Sequence, residues 1–367
     1  MEKFKSLPAA TRSTIITYAM VVIAFLIMQG LLSVGAVSNS TQGLLVPICA
    51  YICMAISLNL VVGISGELSL GHAGFMSVGA FTGVVVSTAL AGSGTSGPVR
   101  LLVAIVAAGV SAAIAGLLIG IPVMRLRGDY LAIVTLAFGE IIKNLLNNLY
   151  VGLDVRGLHF SMSDAASLGM AEGGKVVING PQGAVGIDMI SSFTAGFLLI
   201  LFTLFVVLNL VNSRSGRAIM AVRDNRIAAE SVGINTTKYR LMAFVVSAAL
   251  AGMAGALYAM NYSAIVPKKF DFNTSILVLV FVVLGGMGNI RGGIISATLL
   301  TVLPEKLRFI GDFRMLIYAV VLIAVMLVSN NRALQERLHG LVGRFRKRRG
   351  SGGRTPSTPV RGGAAND

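Results

Sequence analysis

The chain has 367 residues, 55% of them apolar and only 12% charged, with 43 glycines and a mean hydropathy of +0.82. A soluble chain of this length carries about 25% charged residues, so the composition excludes a soluble globular domain and places most of the sequence in lipid. The net charge of +15 raises nucleic acid as a partner. Yet nine Arg/Lys residues lie in the tail after Asn331, where Phe345 is the single aromatic residue, and most of the rest flank apolar runs. No nucleic-acid partner is expected.

Lys3, Lys5 and Arg12 precede an apolar run at 13–37. That run is longer than the roughly 7–15 residues of a signal-peptide core, so it reads as a retained first span. Further apolar runs follow at 43–62, 72–90, 100–124, 129–150, 192–211, 239–262, 274–287, 292–303 and 313–329. The eighth and ninth are short against the ~20 residues of a crossing and read as broken or tilted helices. The fold expected is an all-α integral membrane protein, a polytopic bundle of about ten transmembrane or broken helices. The domain expected covers 1–330, followed by a basic, disordered, cytoplasmic tail at 331–367. Ten crossings with both termini on the cytoplasmic side put most basic residues inside, as loop charge bias requires.

Cys49 and Cys53, four apart on one apolar run, are too few for a metal set or a disulfide framework and read as small buried residues. The stretch GELSLGHAGF at 66–75 sets Glu67, Ser69 and His72 among glycines between two spans. Two readings stay open: a polar break at membrane depth, with helix amides near His72 aimed into a cavity, or an ordinary turn in water. Gly79/Gly83 and Gly116/Gly120 are GxxxG pairs that let helices approach closely. In the fifth span Glu140 and Lys143, three apart, share a helical face. They are a functional candidate or a mutually neutralising pair. Arg127 and Asp129 read as interface anchors. The Gly-rich stretch 151–190 is expected as a long extracytoplasmic loop. Within it, 169–175 has the spacing of a phosphate-binding loop but is followed by Val176, so no ATP hydrolysis is expected of this chain.

The polar segment 214–240 carries Arg214, Arg217, Arg223, Arg226, Lys238 and Arg240 against Asp224 and Glu230. Such a basic loop belongs on the cytoplasmic side. Ala218, Ile219, Val222, Ile227, Ala228 and Ala229 recur at helical spacing, which predicts a short amphipathic helix ending at a turn by Gly233 and serving as a docking surface. GGMGNIRGG, at 285–293, predicts a break between helices or an inner loop. No Ser/His/Asp set, carboxylate pair or metal cluster is visible, so neither catalysis nor a cofactor is expected.

Four stretches together resemble one family: RLRGDYLAIVTLAFGEIIKNLL (125–146), GELSLGHAGFMSVGAF (66–81), SGRAIMAVRDNRIAAESVGI (215–234) and VLGGMGNIRGG (283–293). They are similar to LivM-type permeases of the LivH/LivM family, membrane subunits of ATP-binding-cassette importers for branched-chain amino acids. The resemblance covers about 43–313 and includes NGPQG at 179–183; the Arg-rich tail departs from it. It implies the importer-permease architecture and a place in a bacterial cytoplasmic (inner) membrane. It also implies four kinds of partner: a LivH-type permease, two ATPase subunits, an extracytoplasmic amino-acid-binding protein and the lipid bilayer. By that resemblance 218–230 is the coupling helix, with Gly216, Arg217, Arg223, Asp224, Glu230 and Gly233 as ATPase-coupling residues. Glu67, Ser69, His72 and Glu140 are candidates for the substrate pathway, which should be mostly apolar because it must release as well as admit. Rival readings are a urea or short-amide permease of the same family, an ion-coupled secondary transporter using Glu140, and a structural or receptor membrane protein.

Overall fold

The computed structural model describes residues 9–307 except 36, 93, 127 and 172, together with a few isolated positions from 313 to 323. The chain divides into two compact units, Met1–Lys306 and Leu307–Asp367. Apart from those isolated positions, the tenth expected span and the basic tail lie outside the described residues, as do Arg127 and the side chain of Asp129.

Eleven helices lie among the described residues of the first unit: α1 Ala9–Ser33, α2 Asn39–Asn59, α3 His72–Ala91, α4 Gly97–Val123, α5 Asp129–Asn147, α6 Phe193–Asn212, α7 Arg214–Asp224, α8 Arg226–Ser231, α9 Thr236–Ala259, α10 Phe272–Gly285 and α11 Ile290–Lys306. Seven of them (α1–α6 and α9) are long and apolar enough to cross a membrane, α2 together with a following π turn, Leu60–Ile64. At ~1.5 Å per residue the 14 residues of α10 reach only about 21 Å. This helix packs against α11, so the eighth and ninth runs, expected as broken or tilted helices, are two separate helices in contact. Short polar side chains set many of the starts. Ser192, Ser213, Asn225, Asn235 and Asp271 each accept a hydrogen bond from the amide three residues on, satisfying donors that a helix N-terminus leaves free.

The bundle is built around α2 and α9. Nearly every residue from Leu45 to Ile64 is buried, Cys49 and Cys53 included. Around α9 sit α2, α3 and α4, joined by glycines and alanines so tightly that backbones touch. By contrast α1 and the outer face of α4 (Leu102, Val106, Val110, Leu118) leave their apolar side chains exposed, as lipid contact requires.

The stretch expected as an irregular loop at 151–190 instead carries strands, a departure from a purely helical fold. β1 Tyr150–Asp154, β2 Gly157–Ser161, β3 Lys175–Asn179, β4 Ala184–Val185 and β5 Ala264–Ile265 form one antiparallel sheet in the order β2-β1-β3-β4-β5. The short segments YVGLD, GLHFS and KVVIN hold β-branched, aromatic or leucine residues between glycine turns, and Val151 pairs with both Phe160 and Ile178. The P-loop-like spacing at 169–175 leads out of a 3-10 turn, Ala166–Leu168, into strand β3. A phosphate loop leads from a strand into a helix.

Asp154 closes the β1–β2 turn. Its carboxylate accepts from the amides of Arg156 (2.7 Å), Gly157 (3.2 Å) and Ala171 (2.9 Å) and lies 3.0 Å from His159 Nε2. The Ala171 amide leads in holding its pKa down at about 2 against an ordinary 3.8, with Arg156 and His159 adding to it. A depressed carboxylate stabilises the fold above its unfolded pKa and loses that contribution as pH falls through the folded one. The Ala171 and Arg156 amides should therefore exchange faster as pH drops from about 4 to about 2, beyond the intrinsic trend. Asp154→Asn should exchange fast at every pH; a wild-type profile without that step rules the anchor out.

Candidate functional site

Helix ends gather at two poles. One, the sheet pole, joins β4 and β5 to the start of α4: Arg100 pairs with Asp188 at 2.6 Å, and Ile187 N donates to Ser263 O at 3.0 Å. The other, the basic pole, carries α7 and α8, the turns at 65–71 and 124–128, and the glycine turn 286–289. The polar residues singled out in the sequence fall into three groups between these poles.

At the basic pole α7 and α8 replace the single helix expected at 218–230. The helix breaks at Asn225, which is extended (φ −155°) and caps α8 through Ala228 N at 3.0 Å. Gly216, Ile219, Val222 and Ala229 face inward. The break turns Ile227, 80% exposed, outward, and Val232 beyond it is 74% exposed. In one continuous helix Ile227 would share a stripe with Ile219 and Val222; the break separates them. Asn225, a strong cap followed by a short apolar run, was the signal for the change of register. Gly233 makes the expected turn at φ +83°. Arg223 donates to Gly63 O at 3.2 Å and to Asp224 at 2.8 Å, so it holds α7 against the end of α2. Arg226 pairs with Glu230 at 2.8 Å, Thr236 donates to Glu230 at 2.9 Å, and Arg217 is exposed.

The second group is the turn between α2 and α3. The π turn shifts the register of α2 by one residue, and such bulges recur at functional sites. Asn59, wholly buried, accepts from Gly288 N at 2.8 Å. A Cβ at Gly63 would come within 2.2 Å of Gly288 N, so the two turns touch backbone to backbone. Helix α3 does start at His72, as the sequence predicts. Its start lies inside the bundle, beside Thr135 in the second turn of α5, with a Leu70 N to Thr135 Oγ1 bond at 3.1 Å and an Ala73 N to Ser275 Oγ bond at 3.1 Å. Ser69 and His72 are thus buried in protein rather than in water, while Gly66 and Leu68 of the same turn are exposed. His72 Nε2 is 2.8 Å from Ser57 Oγ. Ser69 is buried, and its hydroxyl has no hydrogen-bond partner among the described residues. Glu67 does not join this group. It pairs with Arg240, 4% exposed, whose guanidinium also donates to Met124 O at 3.1 Å.

The third group lies nearer the sheet pole. Glu140 and Lys143 form an ion pair on α5, as their spacing predicts. Glu140 shares a narrow crevice with Phe270, Asp271 and Ser275. The outward stripe of α5, Tyr130, Ile133, Ala137, Ile141 and Asn144, leaves Glu140 half-exposed at its edge.

Against models of known families, residues 40–329 match the one described as a branched-chain amino acid transport system permease component. The chain belongs to that permease family. Its sequence is 39% identical over 246 residues to the high-affinity branched-chain amino acid transport system permease protein LivM of Salmonella typhimurium, covering 62% of this chain and 54% of that protein. It is 37% identical over 259 residues to the Escherichia coli protein of the same name, covering 66% and 58%. A probable branched-chain amino acid transport permease protein LivM of Methanocaldococcus jannaschii is 26% identical over 213 residues, covering 58% and 55%. The chain thus spans little more than half the length of the curated relatives it matches. No solved structure matches it. All four motif stretches of this family member fall where chain segments meet: the α2–α3 turn, α5, α7–α8 and the α10–α11 turn.

Proposed function

We propose that the chain is one of two permease subunits of an ATP-driven importer for branched-chain amino acids. Its basic pole faces the cytoplasm, in line with loop charge bias, and both termini lie on that side of a bacterial inner membrane. A homologous permease of LivH type completes the translocation path, and a binding protein delivers the amino acid at the sheet pole.

The observation that carries the reading is the α7–α8 knob: exposed Ile227 and Val232, on a segment that also carries Arg217, Arg223, Asp224 and Glu230 and is tied to the bundle through Gly63. Apolar centres with charged rims suit a protein partner, since the buried centre supplies affinity and the rim supplies register. Two ATPase subunits dock on this pole, one of them against the knob. Their closure pushes α7, and through Arg223 the push reaches the π turn and the start of α3, a rigid-body switch between two access states.

The pathway is assigned to the face of α5 bearing Glu140 and to the α3 start with Ser69 and His72. A carboxylate half-exposed on a membrane-spanning helix is costly in lipid, so that face belongs against the second permease or a watered route. Glu67 lies where the route opens onto the basic pole.

Purified with its partners and reconstituted, the complex should accumulate leucine only with ATP and binding protein. Urea uptake in place of leucine would favour the amide reading; uptake driven by an ion gradient without ATP would end the importer reading. Ile227→Asp should weaken ATPase co-purification by about thirtyfold, the scale of one ~2 kcal/mol hot spot, with uptake falling alongside. Arg223→Glu should uncouple hydrolysis from uptake. Intact co-purification and uptake in both variants would refute the docking assignment.

A further inference from the structure

A cavity of about 350 Å³ lies at the basic pole, between the turn after α2 and the end of α7. That is within the size range of small-molecule sites, roughly 300–1,000 Å³. Its walls are amphipathic and carry both signs of charge. Arg223 and Arg226 line one side, and Glu67 with its partner Arg240 lines another. Leu68, 38% exposed, and Val222 supply apolar surface. Ser65 lines it too, and is 3% exposed with its hydroxyl unpartnered among the described residues.

Both lining arginines of α7 and α8 spend their ion pairs on carboxylates outside the cavity wall, Asp224 and Glu230. These exposed pairs are worth at most about 1 kcal/mol. A carboxylate entering the cavity can compete for the guanidiniums at little cost. An ammonium finds Glu67, the single carboxylate among the described lining residues. A plain anion would leave Glu67 facing it with like charge, and a plain cation would meet Arg223, Arg226 and Arg240.

We propose that this cavity is a binding site for a free apolar amino acid on the ATPase side of the bundle. The carboxylate sits between Arg223 and Arg226 with Ser65 Oγ donating to it, the ammonium sits at Glu67, and the side chain rests on Leu68 and Val222. The site is regulatory. Occupancy wedges α7 against the π turn that Arg223 joins to it, so accumulated product slows the switch that α7 drives. The inference rests on the amino-acid importer reading above.

The test uses the full complex in nanodiscs, without binding protein, and radiolabelled leucine in equilibrium dialysis. Saturable binding is expected, weakened at least tenfold by Leu68→Asp and by Arg226→Gln, neither of which removes a residue assigned to docking. Isocaproate, which lacks the ammonium, and leucinamide, which lacks the carboxylate, should each compete at least tenfold more weakly than leucine. In proteoliposomes, leucine preloaded on the ATPase side should slow uptake in the wild type and not in Leu68→Asp. Isocaproate or inorganic phosphate competing as well as leucine would overturn the zwitterion site in favour of an anion site. No saturable binding, or binding unmoved in both variants, while ATP-driven leucine uptake proceeds, would overturn the site and leave the importer reading standing. A complex that carries no amino acid at all would remove the importer reading, and this inference with it.

Discussion

Gly255→Leu is expected to yield no folded protein, and Gly255→Ala to lower the apparent melting temperature of the purified chain sharply. A Cβ at Gly255 would lie 2.0 Å from Met76 O and 2.9 Å from Met76 C. Both are backbone atoms of α3, so no side-chain rotation can relieve the clash and the helices must separate. In lipid, helix association depends on close packing rather than on hiding apolar surface from water, so separating α3 from α9 loses what holds them together. Overpacking costs of about 1–3 kcal/mol per added group apply even where the surroundings yield. A neighbouring contact makes the mechanism testable by rescue. A Cβ at Gly116 would meet Ala248 Cβ at 2.6 Å, while the nearest other atom, Val245 Cα, is 3.7 Å away. Gly116→Ala should therefore destabilise, and Ala248→Gly should restore most of the loss. Gly30→Ala, with nothing within 4 Å of the new methyl, should leave melting unchanged. Alanine is the better helix former, so propensity alone would make both variants neutral or stabilising; failure of the Ala248 rescue would mean that this contact is not what Gly116→Ala disturbs.

The glycines on α3 and α4 were legible in the sequence because Gly79/Gly83 and Gly116/Gly120 are four apart. Their counterparts on α9, Gly252 and Gly255, were not, since they are three apart and lie amid alanines that look like ordinary apolar helix. The nine described apolar runs were visible for a simpler reason: lipid demands long uninterrupted apolar segments, and composition alone exposes them. The sheet was hidden because its strands are at most five residues long and β4 pairs with β5 from beyond two helical spans. Of the pathway candidates in the 66–75 stretch, Ser69 and His72 are buried, whereas Glu67 turns to another partner. The partner of Glu67 lay 173 positions away at Arg240, a distance no local pattern bridges.

Arg240→Met is expected to cost about 3 kcal/mol, read as a fall in melting temperature in detergent or nanodiscs. The guanidinium is almost wholly enclosed and serves three connections at once: Glu67 after α2, and Met124 O and Leu126 O at the α4–α5 turn. Removing one member of a buried pair costs roughly 3–5 kcal/mol because the other charge is stranded. Glu67 keeps 17% of its side chain in contact with solvent, which places the expectation at the low end of that range. Arg240→Lys should recover only part, since an ammonium lacks the planar fork that reaches a carboxylate and a carbonyl together. The double variant Arg240→Met/Glu67→Gln should be more stable than Arg240→Met alone, by at least 1 kcal/mol, because the stranded charge is gone. Equal losses in the single and double variants would mean the carbonyl contacts, not the ion pair, hold the turns. The double variant also separates the ion-pair role of Glu67 from its role on the route. With stability recovered, leucine uptake should remain severalfold below wild type, because the carboxylate at the basic mouth of the route is missing. Uptake restored in full would take Glu67 off the route.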